Sequence, residues 1–172
     1  RSELVDLAKF ISELGKPGPY AVQTAKRLQR WRVLRSPPSE LTTEVPHLEN
    51  LRQLVFGAPA EQWSAAYSKV NGSLPLTELR QGQTPTVLIL QGEVNVTAEG
   101  PVRVRIESTE TLQTWIGSES IDTKRDTTLT LPVGRHPLTF RVEVSEREKP
   151  ELRVELSIPD GATTNLEVVG GS

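Results

Sequence analysis

Only two histidines, His47 and His136, are available for proton transfer near neutral pH. His47 follows Pro46 at an expected helix start. His136 lies in Gly134-Arg-His-Pro137, an expected turn between two strands. Neither has a second His or a Cys at ligand spacing, whereas a zinc site takes three or four ligands. A structural or solvated role is expected for both. Serine chemistry would need a nucleophile on a sharp strand-to-helix turn such as G-x-S-x-G, and Gly117-Ser-Glu-Ser120 is not one. The densest acidic loop is Asp122-Thr-Lys-Arg-Asp126, the weak candidate for calcium. Lys124 and Arg125 stand between its two acids, so a solvated loop is expected and no metal is assigned. Glu143 and Glu155 alternate with apolar residues, which puts them on the wet face of strands and not across a cleft. There is no glycine-rich phosphate loop. Asn71-Gly-Ser73 and Asn95-Val-Thr97 match the short N-glycosylation pattern, which is common by chance.

Aromatic residues are the remaining option. Trp115, late in Leu112-Gln-Thr-Trp-Ile-Gly117, could stack on a sugar ring or a partner's side chain. It could equally be the largest member of a sandwich core. Trp115, His136 and Arg135 are the candidate ligand-binding residues. No catalytic residue and no cofactor is expected.

The elements that must position these residues change grammar near Thr84. Before it, apolar residues recur at helical spacing; after it they alternate, as in Val102-Arg-Val-Arg-Ile106 and Phe140-Arg-Val-Glu-Val144. Alternation marks half-buried antiparallel strands. Strands are expected over 86–91, 94–98, 102–108, 112–116, 127–131, 138–144 and 152–158, the second either separate from the first or its continuation, with turn residues between them. The core is expected to hold Val104, Ile106, Leu129, Leu131, Leu138, Phe140, Val142, Val154, Leu156 and Ile158. In the first half, 3–14 reads as an amphipathic helix and 31–34 as a short strand. Pro46 could open a helix carrying Leu48, Leu51, Leu54 and Val55. Pro59 could open another over 60–70, with Trp63, Ala66, Tyr67 and Val70 on one face. Trp63 and Tyr67 would then staple the helical part to the sheet. The expected fold is α+β and mainly β: a helical lead-in over 1–83 packed on an antiparallel, jelly-roll-like β-sandwich over 84–170.

The chain has 172 residues, a net charge of -2 and mixed signs, which argues against a nucleic-acid footprint. The longest apolar run, Val87-Leu-Ile-Leu90, is too short to cross a bilayer. Cysteine is absent, which excludes disulfides, thiolate metal sites and thiol nucleophiles. Methionine is absent too, and Arg1-Ser2 and Gly171-Ser172 read as cloning scars. The expectation is a segment of a longer protein, with any targeting signal outside it.

Two resemblances add to this reading. Glu3-Leu-Val-Asp-Leu-Ala-Lys-Phe-Ile-Ser-Glu-Leu-Gly15 resembles the closing helix of a c-type cytochrome domain. Lys16-Pro-Gly-Pro-Tyr-Ala-Val22 and Arg30-Trp-Arg-Val-Leu34 resemble the segment that follows the cytochrome module in large multidomain planctomycete-type haem-binding proteins of the membrane-bound dehydrogenase type. Trp63, Tyr67 and Gly72-Ser-Leu-Pro-Leu76 are similar to that family's downstream region. The family's Cys-x-x-Cys-His motif is absent and no Met can serve as an axial ligand, so no haem ligand carries over. The second half, through Leu112-Gln-Thr-Trp-Ile-Gly117 and Thr127-Leu-Thr-Leu-Pro-Val-Gly-Arg-His-Pro-Leu-Thr-Phe140, resembles protective-antigen-like β-sandwich domains that accompany glycosidases and adhesins. Sugar binders of that kind hold calcium with an Asp-Asp pair, where this chain reads Ser108-Thr-Glu-Thr111.

These resemblances imply a non-catalytic accessory domain of a larger exported, periplasmic or extracellular, haem-containing bacterial protein. Its partners would be neighbouring domains of the same polypeptide or another protein, with no nucleic acid and no membrane insertion. The alternatives are a carbohydrate-binding module using an exposed aromatic on a polysaccharide, and a docking domain for an electron-transfer cytochrome.

Overall fold

The structure, a computed structural model, describes residues 25–35, 37–43, 48–80, 86–124, 126–146 and 148–170. The expected helix over 3–14, and His47, lie outside them.

Alternating apolar residues in the second half form the strands β5 (Thr86–Ala98), β6 (Gly100–Ser108), β7 (Thr111–Ile116), β8 (Glu119–Ile121), β9 (Thr127–Leu131), β10 (Gly134–Val144), β11 (Glu151–Ser157) and β12 (Asn165–Val168). The first half adds β1 (Lys26–Arg27), β2 (Arg30–Leu34), β3 (Trp63–Tyr67) and β4 (Ser73–Pro75). Every pairing among the described residues is antiparallel. The smaller sheet runs β1-β11-β6-β9, with β4 on the same edge of β11 as β1. The larger runs β3-β2-β5-β10-β7-β8, with β12 beside β5 beyond the end of β2.

The two sheets bury one face each against the other. Along β10 the even positions Leu138, Phe140, Val142 and Val144 are fully enclosed. They meet Val102 and Val104 of β6 and Leu152, Val154 and Leu156 of β11 in a single cluster. Period-2 side-chain direction makes this unavoidable once the odd positions are polar. Of the expected core, Ile106, Leu129 and Ile158 are partly buried against this cluster and the rest lie within it. Trp31 of β2 meets Phe140 edge-on, with ring centroids 5.3 Å apart. Its indole N–H donates to the Ser68 hydroxyl at 2.8 Å, so the buried polar atom is satisfied.

A third layer covers part of the larger sheet's outer face. Helices α1 (Ser39–Thr43) and α2 (Leu48–Gly57) bring Leu41 and Leu51 onto Leu34, Ile89 and Trp115. Arg141 of β10, 2% exposed, locks this cap. Its Nε donates to the Leu41 carbonyl at 2.7 Å and its Nη2 to the Thr42 carbonyl at 3.2 Å. Its Nη1 donates to Gln113 Oε1 at 3.0 Å and to Glu143 Oε1 at 2.6 Å. A short helix leaves its last carbonyls without intrahelical donors, and the guanidinium supplies them.

Two expectations are corrected. Residues 60–70 are not a helix: after a 3-10 turn, η1 (Ala60–Gln62), the chain becomes β3. Apolar residues at 63, 66 and 67 fit a helical face, but pairing with β2 sends Trp63, Ala65 and Tyr67 outward and buries Ala66 opposite Trp31. The Trp63–Tyr67 pair therefore staples no helix; Tyr67 is 63% exposed. Nor do the described residues before Thr84 stand apart as a helical lead-in, since β1 to β4 belong to the sheets themselves. Among the described residues, no helix is long and apolar enough to cross a membrane.

Candidate functional site

The cap leaves part of the larger sheet's outer face uncovered. The uncovered part is polar, and its residues come from three strands. In β2 the pattern Arg30-Trp-Arg-Val-Leu34 sends Trp31 and Val33 into the core and leaves Arg30 and Arg32 outside. The odd positions of β5 add Gln91 and Glu93, and β10 adds Arg135. Together with the turn at Val169 they line a recess of about 220 Å³.

Each charged group has its own support. Arg32 Nη2 donates to Gln91 Oε1, and its guanidinium lies 5.0 Å from the centre of the Trp63 ring. Gln91 is held in turn, its Nε2 donating to Thr139 Oγ1 at 3.4 Å. The Arg32 guanidinium is thus held both by an aromatic face and by a hydrogen bond. Arg135, 74% exposed, reaches Glu93 Oε1 at 3.2 Å. Glu93 also anchors the recess wall, since its carbonyl accepts the Val169 N–H at 3.0 Å. Arg30 has no ion-pair partner among the described residues. Its stem is packed by Gly170, where an added Cβ would sit 2.6 Å from Arg30 Cδ. Its cross-strand neighbour is the exposed Tyr67.

Three guanidiniums face one carboxylate in this recess, an excess of two positive charges. Glu167, opposite Asn95, lies beyond the lining. The smaller sheet's outer face makes the contrast. There Arg27 and Arg153 reach Glu155 at 3.0 and 2.9 Å, Arg153 and Arg105 reach Glu107 at 3.5 and 3.2 Å, and Arg105 lies 3.9 Å from Asp126. Partial burial opposes ionisation of Glu155. The hydrogen bonds and charges of Arg27 and Arg153 outweigh it and hold the carboxyl below the ordinary glutamate value. That face is an internally neutralised ladder, whereas the recess on the larger sheet is not. A larger hollow of about 620 Å³ opens beside Glu107, Glu110 and Lys124. Its Glu110 is already committed, accepting the Ser145 N–H at 3.0 Å and the Ser145 hydroxyl at 3.1 Å.

A guanidinium stays charged across the physiological pH range, so the three arginines of the recess are suited to holding an anion. Its fork of donors matches carboxylate, sulfate and phosphate oxygens.

Of the residues singled out by sequence, Arg135 lies in the recess. His136, next along the strand, projects to the opposite side, and its Nε2 donates to the Pro132 carbonyl at 2.7 Å. Trp115 is 5% exposed beneath the helical cap, in the outer cluster and not between the sheets. Asp122 Oδ1 accepts the Lys124 N–H at 2.9 Å within its own loop. Among the described residues no three acidic or imidazole side chains converge as a metal site. Arg30, Arg32, Gln91 and Glu93 were not singled out. The signal for the first two was present in the charged positions flanking Trp31, but Arg32 and its β5 partner Gln91 lie 59 positions apart in the chain.

Comparison with known protein families, with curated proteins and with solved structures found no match.

Proposed function

We propose that this chain is a non-catalytic interaction domain that holds a carboxylate-bearing segment of a partner in the arginine recess. The partner is a neighbouring domain of a longer exported haem-containing polypeptide, or a separate protein. The carrying observation is the unopposed charge of Arg30 and Arg32, one packed by Gly170 and the other stacked on Trp63. Pre-positioned cations lose little side-chain freedom on binding, so more of each contact survives as affinity. The same surface would serve a salt-sensitive contact with a cytochrome domain.

The test is calorimetric titration with a polyglutamate peptide at low and high salt. A charge-assisted contact at an exposed site contributes about 0.5–1 kcal/mol. Arg30→Ala and Arg32→Ala should therefore each weaken binding about two- to fivefold, and added salt should weaken it further. Absence of saturable binding at low salt would refute the proposal.

Tyr67 favours a second reading. An exposed ring beside Arg30 is the pairing that grips an acidic sugar, the ring stacking on the pyranose and the guanidinium taking the carboxylate. Titration with polygalacturonate decides between the two. The sugar reading requires tight binding lost in Tyr67→Ala; the peptide reading requires that Tyr67→Ala leave polyglutamate binding intact.

A further inference from the structure

Among the described residues, strand β3 forms one edge of the larger sheet and pairs with β2 alone. The phase of that pairing is fixed by two hydrogen bonds, Arg35 N–H to the Gln62 carbonyl at 2.9 Å and Ser68 N–H to the Gln29 carbonyl at 2.8 Å. Antiparallel ladders alternate. Ser64 and Ala66 therefore turn their amides toward β2, and Trp63, Ala65 and Tyr67 turn theirs to the open edge. Trp63 N–H is taken by the Ala60 carbonyl in the preceding turn. The Trp63 carbonyl, both groups of Ala65 and the Tyr67 N–H have no partner strand among the described residues.

Edge strands of isolated domains usually carry a charge, a proline or a bulge that discourages pairing. The sequence Trp-Ser-Ala-Ala-Tyr has none of these. By contrast β8, the opposite edge, is three residues long and bears Glu119.

The edge is also complementary to itself. A two-fold axis through Ala65 sets residue i of one copy opposite residue 130 − i of the other. Ala65 then faces Ala65, where small side chains let the strands approach. Trp63 faces Tyr67 of the other copy twice over, an aromatic cross-strand pair. Beyond the strand the same operation brings Glu61 toward Lys69 of the other copy. Both are exposed, and neither has an ion-pair partner among the described residues. Opposite charges at both ends, small residues on the axis and aromatic pairs between them are what a closed isologous contact needs.

We infer that a second copy of this chain adds to β3 in this antiparallel register, joining the two larger sheets into one. Four backbone hydrogen bonds close the seam: two between the Ala65 residues, and two from Tyr67 N–H to the Trp63 carbonyl across the axis. The pairing goes beyond the interaction role proposed above and does not depend on it. It has a consequence for that role, because both arginine recesses come to lie on one face. The two β2 strands are then three strand spacings, about 14 Å, apart, which makes the surface bivalent for a partner with repeated acidic groups.

Sedimentation equilibrium of the full chain over a range of concentrations tests this. The expected result is a reversible monomer–dimer equilibrium. Ala65→Lys places two ammonium groups face to face on the axis and should weaken the dimer at least tenfold, with circular dichroism unchanged because the site is exposed. Glu61→Lys and Lys69→Glu should each weaken it a few-fold, and the double exchange, Glu61→Lys with Lys69→Glu, should restore it. A chain that stays monomeric at its solubility limit overturns the inference. So does a dimer indifferent to Ala65→Lys, or a double exchange no better than either single change.

Discussion

Arg141 offers the sharpest perturbation of the fold that frames the site. It is 2% exposed, lies on the outer face of the larger sheet and donates to two carbonyls of α1. Its ion-pair partner Glu143 is 45% exposed, so that pair alone contributes no more than about 1 kcal/mol. The carbonyls of Leu41 and Thr42 are different. Truncating the guanidinium would strand both beside a dry cluster, at about 1–3 kcal/mol for each unsatisfied group. Arg141→Ala should therefore cost about 3–5 kcal/mol, in line with removal of one partner from a buried charged network. For a chain of this size that lowers the melting temperature by about 6–20 °C. Glu143→Gln should cost less than about 1 kcal/mol. Arg141→Lys should recover only part of the loss, because one ammonium cannot span two carbonyls and Gln113. Urea denaturation followed by tryptophan emission measures all three, and Trp115 beneath the cap should report any undocking as a red shift. If Arg141→Ala cost no more than Glu143→Gln, and the amides of α1 kept their protection from exchange, the reasoning would fail.

Three further outcomes are expected. Because the Glu155 carboxyl is held below its ordinary value, its stabilising charge is fully present above about pH 4.5 and is lost as pH falls through the lower folded-state value; the stability gap between the native chain and Glu155→Gln should be constant near neutrality and close in acid urea titrations. The Thr114 hydroxyl, opposite Phe140 and turned into the core, has no hydrogen-bond partner among the described residues; Thr114→Val should stabilise the chain by about 1 kcal/mol by removing a desolvated polar group of the same shape, and a loss of stability would reveal a partner. Gly100 has φ +153, and a Cβ there would fall on the Thr164 hydroxyl, which donates to the Pro101 carbonyl at 3.0 Å; Gly100→Ala should cost about 1–3 kcal/mol by thermal melting.

The strands from Thr86 onward were legible because one physical signal decides them. With Leu138, Phe140 and Val142 alternating against Thr139, Arg141 and Glu143, only a half-buried sheet buries the first set. Residues 94–98 proved continuous with 86–91, as Gly92 sits inside β5 against Leu28 and does not break it. The short strands β8 and β12 carry too few alternations to be read. β3 reads as helix because Trp63, Ala66 and Tyr67 fit the helical period, while Trp63, Ala65 and Tyr67 fit the strand period equally well, and only pairing with β2 chooses between them. The leucine spacing over 48–55 did place a helix in α2. Nothing local told that it would roof the outer face of a sheet, nor that Arg141 and Trp115 would lie beneath it. The recess was the least legible part. Arg30, Glu93 and Arg135 become neighbours only through non-local strand pairing, which no local pattern encodes. Arg135 was reached through an expected turn over 134–137, which the structure instead makes the first residues of β10, paired with β5, and the cations that complete its site were not.

The central claim is that the recess on the uncovered part of the larger sheet is where this protein meets an anionic partner. Backbone-amide NMR during titration with polyglutamate at low salt tests it most directly. The expected result is saturable shifts confined to residues 30–32, 91–93, 135 and 169, abolished when Arg30 and Arg32 are both replaced by alanine. Shifts centred instead on Arg27, Arg105 and Arg153, or spread without saturation over both sheets, would contradict it.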